Sequence, residues 1–341
     1  MLADHVAGGG NHIAVIGAGS WGTALAMIAA RNQLEVKLWA REPEIASEIN
    51  RTRRNPFYLS DFELPENIHA TTVVEDAIDE AAFALLVVPS HAMREMAARL
   101  RPHLRSETVL VSAAKGVENS TLMRMEEVVA DVLRDSFEPR YVALSGPSFA
   151  LEVAKGDPTA IVAASRHRES SEMIQRSLSS SSFRIYTNTD VAGVELGGAV
   201  KNVVAIAAGV VRGLGFSTNA VAAIITRGLA EMTRLALAQG ARAETMAGLA
   251  GLGDLVLTCT GELSRNRRVG LELGRGRKLP EILGEMREVA EGVKTTSSIY
   301  ELGRRLGIEM PITASIYALL YRDKPANEAA NELMGRPLKR E

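Results

Sequence analysis

Apolar residues in the first half of the chain come in short unbroken runs. Between the runs lie stretches in which they recur every third or fourth position. The runs at 12–17 (HIAVIG), 36–39, 83–89 (FALLVVP), 108–112 and 141–145 have strand length. Such continuous runs fit strands buried on both faces of a parallel sheet. Helical spacing over 23–31, 42–51, 91–100 and 123–134 sets helices between the strands. Past Gly146 the pattern loosens, with further strands over 159–164 and 183–186 and a helix between them. Residues 55–67, with two prolines and several aromatics, read as a loop set to fold over a site. From 191 onward helical spacing persists through Ala330. The expectation is an α/β N-terminal domain with a mostly parallel sheet over 12–190 and an all-α C-terminal domain over 191–341. A loose, glycine-rich extension over 1–11 precedes them.

The stretch 195–215, ELGGAVKNVVAIAAGVVRGLG, stands where the two patterns meet. It reads as a buried helix whose small residues, among them Gly197, Gly198, Ala205 and Gly209, let other backbones lie close. Into that surface the sequence puts one ammonium, Lys201, followed by the amide of Asn202. Most lysines are merely solvated. Here apolar or small residues flank the side chain for a full turn on both sides, and no carboxylate follows before Glu231, which favours a working lysine.

Composition narrows the class. A chain of 341 residues exceeds one ordinary core, so two domains are expected. A net charge of −2 with both signs interspersed argues against a nucleic-acid groove or a basic membrane surface. The single cysteine, Cys259, cannot form an internal disulfide, which fits a reducing compartment. No basic segment leads into an apolar core at the N-terminus, and the charge-free run 213–226 is too short and polar to span a bilayer. These features together point to a soluble, cytoplasmic protein.

Residues 17–22, GAGSWG, have the form G-x-G-x-x-G between a strand and a helix. In that context Gly17 serves the tight turn, Gly19 the approach of a diphosphate, and Gly22 close strand–helix packing. The diphosphate then sits on the helix N-terminus, as in Rossmann-like dinucleotide-binding domains. Where an acid would hold a ribose 2′-hydroxyl, the chain has Ala40-Arg41, with Glu42 one step late. An arginine there suits a 2′-phosphate, so NADP(H) is preferred and NAD(H) stays open, as does a merely solvated Arg41. Lys115 and the turn Ser145-Gly146-Pro147-Ser148 both leave strand ends, where ligands of such sheets gather. Each is also readable as plain loop. In the helical half, Asp254 precedes the cluster Ser264-Arg265-Asn266-Arg267-Arg268, in which an arginine fork can clamp a phosphate. Asp254 as a helix cap and the cluster as a solvated helix start are the plain readings. No metal-ligand spacing occurs, and Cys259 reads as a core residue.

Taken together, IGAGSWGTALA, SAAKGVE, LSGPSFA, GGAVKNV, GLGDLVLTCTG, SRNRRVG and EGVKTT resemble the bacterial soluble, NAD(P)-dependent sn-glycerol-3-phosphate dehydrogenase family, in family order along nearly the whole chain. The resemblance implies a homodimer that reduces dihydroxyacetone phosphate to sn-glycerol 3-phosphate for phospholipid synthesis, with no nucleic-acid partner and no membrane insertion. It implies that Ser20, Trp21, Arg41, Lys115 and Ala150 line the dinucleotide, joined by Arg265, Val289 and Glu291. It likewise assigns the substrate to Lys115, Gly146, Ser148, Lys201, Asp254, Ser264, Arg265 and Asn266, with Lys201 as acid/base. Leu151 and Ala113-Ala114 depart mildly from the family pattern. With no histidine in these motifs, the lysines are left to protonate the ketone oxygen, Lys201 as donor and Lys115 polarising. Burial and a nearby second cation would lower the pKa of Lys201 while Asp254 opposes them. A β-hydroxyacid or 6-phosphogluconate-type dehydrogenase, and a non-catalytic dinucleotide sensor, are the competing readings.

Overall fold

The computed structural model of the protein describes residues 12–286 and 290–337. The extension expected over 1–11 lies outside the described residues. Two compact units divide the chain. One takes it to Ala114 and again over Met125–Val191; the other takes Lys115–Arg124 and everything from Ala192.

The first unit opens with β1 (His12–Ile16), α1 (Ser20–Arg31), β2 (Val36–Trp39), α2 (Pro43–Thr52) and β3 (Ile68–Thr71). It continues through α3 (Val74–Ile78), β4 (Ala81–Leu86), α4 (Met93–Leu100) and β5 (Val109–Ser112). After an excursion into the second unit come α5 (Met125–Leu133), β6 (Arg140–Ser145), α6 (Ala150–Lys155), β7 (Thr159–Ala164), α7 (Arg168–Leu178) and β8 (Phe183–Asn188). One sheet holds all eight strands in the order β3-β2-β1-β4-β5-β6-β7-β8. Neighbours run parallel except β6 and β7. The first six follow the doubly wound dinucleotide-binding order, whose reversal between β1 and β4 opens a ligand crevice at the strands' carboxyl ends.

The structure departs from the hydrophobic pattern in several places. Strand β3 is an edge strand with Ile68 and Ala70 buried and His69 exposed, so it shows no apolar run. The run at 83–89 overshoots its strand, because Val87 to Pro89 carry the chain off the sheet. Helix α1 begins at Ser20 rather than residue 23, since the Thr23 N–H already donates to the Gly19 carbonyl at 2.9 Å.

Among the described residues from 191 onward the regular structure is helical: α8 (Val191–Gly213), α9 (Thr218–Ala238), α10 (Ala243–Ala247), α11 (Asp254–Thr260) and α12 (Arg265–Gly274). Four more follow: α13 (Leu279–Gly284), α14 (Glu291–Arg305), α15 (Pro311–Tyr321) and α16 (Ala326–Met334). A single π-helical turn, Leu249–Gly253, leads into α11. Helix α8 is largely apolar all round and is buried along nearly its whole length, as such helices are. Val200, Val204 and Ala208 join a core with Met232, Leu235 and Leu255, while Val203, Ile206 and Val210 join another with Val269, Ile312 and Ile316. By length and hydropathy α8 could cross a membrane, yet 94% of its most apolar window is buried within the protein.

Glycines let α8 approach its neighbours backbone to backbone. A Cβ on Gly209 would stand 2.1 Å from the Arg267 carbonyl oxygen, and one on Gly270 2.0 Å from that of Ile206. Helices α8 and α12 are thereby locked face to face. At the other end, a Cβ on Gly197 would meet the Ala250 carbonyl at 2.4 Å. Lys201 and Asp254 each stand four residues, about one helical turn, beyond that contact.

The segment Lys115–Arg124 lies with the helical unit, which a boundary drawn at 190/191 does not convey. Val117 and Leu122 pack in the α8 core, and the Ser298 hydroxyl donates to the Val117 carbonyl at 3.3 Å. The buried Arg124 guanidinium pairs with the buried Glu195 carboxylate of α8 at 3.1 Å.

Candidate active site

In the sheet unit the three glycines of the turn after β1 meet three different surroundings. Gly17 has φ +122°, closed to other residues, and a Cβ there would meet the Val87 carbonyl at 2.5 Å. Gly22 lies against the Gly17 carbonyl, 1.8 Å from where a Cβ would sit. Around Gly19, by contrast, nothing lies within 4 Å of that position. A group can therefore reach the backbone at Gly19, where α1 starts with no side-chain cap and no acidic residue in its first turn. Backbone N–H groups and the helix dipole suit an anion there. These residues fit a dinucleotide diphosphate. Ser20 and Trp21 begin that helix.

Asn55 stands at the head of the loop. Its buried Nδ2 donates to the Ala18 carbonyl at 2.9 Å and to the Thr23 hydroxyl at 3.0 Å. Its Oδ1 accepts from the Phe57 and Tyr58 N–H groups. The loop is thus tied to the glycine turn, and the Asn-Pro pair at 55–56 was the available signal. Arg41, just past β2, is exposed and pairs with Glu42 at 2.6 Å. An exposed pair contributes about 0–1 kcal/mol and is readily given up to a ligand. Ala150 begins α6. Gly146, at φ +145°, sits 2.8 Å (by its absent Cβ) from the Ile161 Cα, and the Ser148 hydroxyl donates to the Gly146 carbonyl at 3.1 Å.

The helical unit gathers the charged groups. Asp254, at the start of α11, is 1% exposed and gives one carboxylate oxygen to each of two lysines. Oδ1 accepts from Lys201 Nζ, and Oδ2 accepts from Lys115 Nζ at 2.7 Å. Lys201 also donates to the Thr258 hydroxyl at 3.0 Å. That hydroxyl's own hydrogen goes to the Asp254 carbonyl at 2.6 Å, one turn back, so toward Lys201 it is an acceptor. Asp254 and Thr258 are the hydrogen-bond partners of Lys201 among the described residues; an ammonium has three hydrogens, so one is left for a ligand. Asn202 Nδ2 reaches the Lys115 carbonyl at 3.5 Å and steadies the segment that carries it.

Burial pulls the Lys201 pKa from the ordinary lysine range down to about 7; the Asp254 carboxylate opposes this and the Lys115 ammonium adds to it. For Asp254, burial works to raise the pKa, but the ammoniums of Lys115 and Lys201 together outweigh it and hold the carboxyl below its usual range. The result is a carboxylate that stays charged and a buried amine poised near neutrality. Amines in that range are the ones suited to proton transfer. Cys259, next to Thr258, has its thiol pushed up to about 12, chiefly by burial, and is an inert core group.

The phosphate cluster forms the start of α12. Ser264 is its N-cap, its hydroxyl accepting from the Arg267 N–H at 3.2 Å. Arg265 and Asn266 fill the first two helical positions, Arg265 exposed and Asn266 buried. The Asn266 Oδ1 accepts from the Gly292 N–H at 3.0 Å, in the first turn of α14, which Glu291 opens. Lys115, Lys201 and Asp254 are thus in direct contact, while Ser264, Arg265, Asn266 and Glu291 share a second cluster. Val289 lies outside the described residues. No motif announces Thr258 or Gly292, although Thr258, four residues after Asp254, is its neighbour on the helix face.

Residues 12–171 match the N-terminus of NAD-dependent glycerol-3-phosphate dehydrogenase, and residues 190–331 match its C-terminus. The chain is 56% identical over 329 residues to glycerol-3-phosphate dehydrogenase [NAD(P)+] of Geobacter sulfurreducens, covering 96% of this chain and 98% of that one. The chain belongs to the NAD-dependent glycerol-3-phosphate dehydrogenase family. A second relative, from Koribacter versatilis, is 53% identical with the same coverage. The crystal structure of the Coxiella burnetii glycerol-3-phosphate dehydrogenase has a TM-score of 0.91 at 40% identity, covering 96% of this chain and 99% of that one. Membership in this dehydrogenase family is favoured over the β-hydroxyacid-type and sensor readings.

Proposed function

We propose that the chain reduces dihydroxyacetone phosphate to sn-glycerol 3-phosphate, reversibly, with NADPH or NADH. The observation that carries the reading is the buried Lys201, set between Asp254 and Thr258 with one hydrogen unclaimed among the described residues. Gly17, Gly19, Gly22 and the first turn of α1 would hold the dinucleotide diphosphate, with Arg41 beside a 2′-phosphate. When bound, the reduced dinucleotide supplies the hydride. Negative charge then builds on the ketone oxygen, and Lys201 gives it a proton. Lys115, shared on the same carboxylate, polarises or orients the substrate oxygens. Asp254 keeps the two ammoniums apart and aimed, and Thr258 fixes the Lys201 rotamer. Ser264, Arg265 and Asn266 would take the phosphate. Holding the reacting carbon by that distant group can contribute on the order of 7 kcal/mol at best.

A homodimer, a cytoplasmic location and a role in phospholipid synthesis come to this proposal from the family resemblance. The test is to follow NADPH and NADH absorbance separately on adding dihydroxyacetone phosphate, with wild type and Lys201→Ala. Wild type should consume the coenzyme, and the variant should lose kcat by orders of magnitude while its NADPH Kd holds. Near-normal turnover by the variant would remove Lys201 from the proton-donor role.

A further inference from the structure

Gly292 is placed where a side chain is forbidden for a reason unrelated to its own backbone. A Cβ there would lie 2.6 Å from Asn266 Oδ1 and 2.9 Å from the backbone oxygen of Asn202, the residue after Lys201. Helix α14 therefore starts jammed between α12 and α8. The Gly292 N–H uses that closeness to donate to Asn266 Oδ1 at 3.0 Å. This bond decides which way the amide faces: the carbonyl end is spent on Gly292, so the end with two donors is turned elsewhere. Asn266 is 8% exposed, and its Nδ2 makes no hydrogen bond to the described residues while not being one of the buried atoms left without a partner. The two N–H donors therefore stand where they can reach a ligand acceptor without a desolvation cost in its absence.

We infer that Gly292 is a positioning and specificity-determining residue, holding the Asn266 amide with its donors toward a phosphate, a group that offers mainly acceptors. The inference rests on the proposed reduction of a phosphorylated ketone. It extends that reading by making the first turn of α14, which begins at Glu291, part of phosphate recognition. Gly292 touches neither substrate nor coenzyme, and its effect on the phosphate runs through Asn266.

The experiment is a double-mutant cycle with Gly292→Ala and Asn266→Ala, read as kcat/KM for dihydroxyacetone phosphate and, in parallel, for dihydroxyacetone, which lacks the phosphate. Gly292→Ala should lower kcat/KM for the phosphorylated ketone about tenfold to a hundredfold, mostly through KM, the range for a lost hydrogen bond to a charged group. The loss should be smaller on dihydroxyacetone, and smaller in the Asn266→Ala background, where only the 2.9 Å approach to the Asn202 oxygen remains to be relieved. Equal losses on both substrates, or equal losses in both backgrounds, would overturn the inference. Asn266→Asp supplies a second arm should Gly292→Ala not fold. It keeps an acceptor for the Gly292 N–H but replaces the donors with a negative oxygen, so KM for the phosphorylated ketone should rise steeply with NADPH Kd unchanged. A wild-type KM in that variant would also overturn it. Failure of the wild-type chain to oxidise NADPH with dihydroxyacetone phosphate would instead reject the proposed function, since only ratios to wild type bear on Gly292.

Discussion

Replacing Asp254 with asparagine should move the pH limit of ketone reduction toward acid, and replacing Lys115 with methionine should move it the other way. The signs follow from the three influences on Lys201. Burial and the Lys115 cation both favour its neutral form, and the Asp254 carboxylate favours the ammonium; the balance puts the pKa at about 7. Reduction needs the ammonium, so kcat/KM should fall as pH rises through that value. Oxidation of glycerol phosphate needs the free amine and should rise over the same interval.

Asparagine in place of Asp254 removes the carboxylate that opposes burial and the Lys115 cation, so the limb moves below 7. A unit charge about 4 Å away contributes roughly 4 kcal/mol at an effective dielectric of about 20. At ~1.36 kcal/mol per pH unit that is about three units before the relaxation of nearby dipoles, and at least about one should survive it. Lys115→Met removes a repelling cation and leaves Asp254 wholly to Lys201, so the limb should move to alkaline pH. The assay is initial rate against pH in each direction, with each enzyme scaled to its own plateau so that a lower maximum does not matter. Shifts of both variants in the same direction, or no movement in either, would refute Lys201 as the titrating acid.

Arg41→Ala should weaken NADPH more than NADH in equilibrium binding; equal loss for both coenzymes would mean that Arg41 does not meet a 2′-phosphate. Gly270→Ala should lower the melting temperature by circular dichroism, because its Cβ would lie 2.0 Å from the Ile206 carbonyl and overpacking of that kind costs about 1–3 kcal/mol. Gly284→Ala, also helical but with nothing within 4 Å, is the control and should be neutral or slightly stabilising. A Gly270→Ala variant as stable as that control would mean that α8 and α12 do not touch through their backbones.

Elements whose residues face one environment throughout were legible in the hydrophobic pattern. Strands β1, β4 and β5 are buried almost from end to end, and α8 is buried all round, so their composition declares them. The glycine turn was equally legible, because each glycine answers a different steric demand. The edge strand β3 escaped because only alternate residues are buried, and short α6 because six residues give too little periodicity. Lys115 is legible as a ligand candidate at a strand end, yet its place with the helical unit depends on Val117 packing and the Arg124–Glu195 pair, neither of which has a spacing rule.

The same distinction explains what remained hidden in the site. Small residues along α8 announced that other backbones come near but carried no information on which ones. Gly197 turns out to receive the Ala250 carbonyl and so brings Asp254 level with Lys201; Gly292 receives the Asn266 side chain and so turns an amide. In both cases a missing Cβ sets the register of a charged or polar group one turn or one contact away. Side-chain chemistry in this protein is aimed by backbone proximity, and a substitution at either glycine should therefore disturb catalysis or recognition as well as the fold. Were Gly197→Ala to fold and leave the pH limb of reduction unmoved, that link would be wrong for the lysine pair.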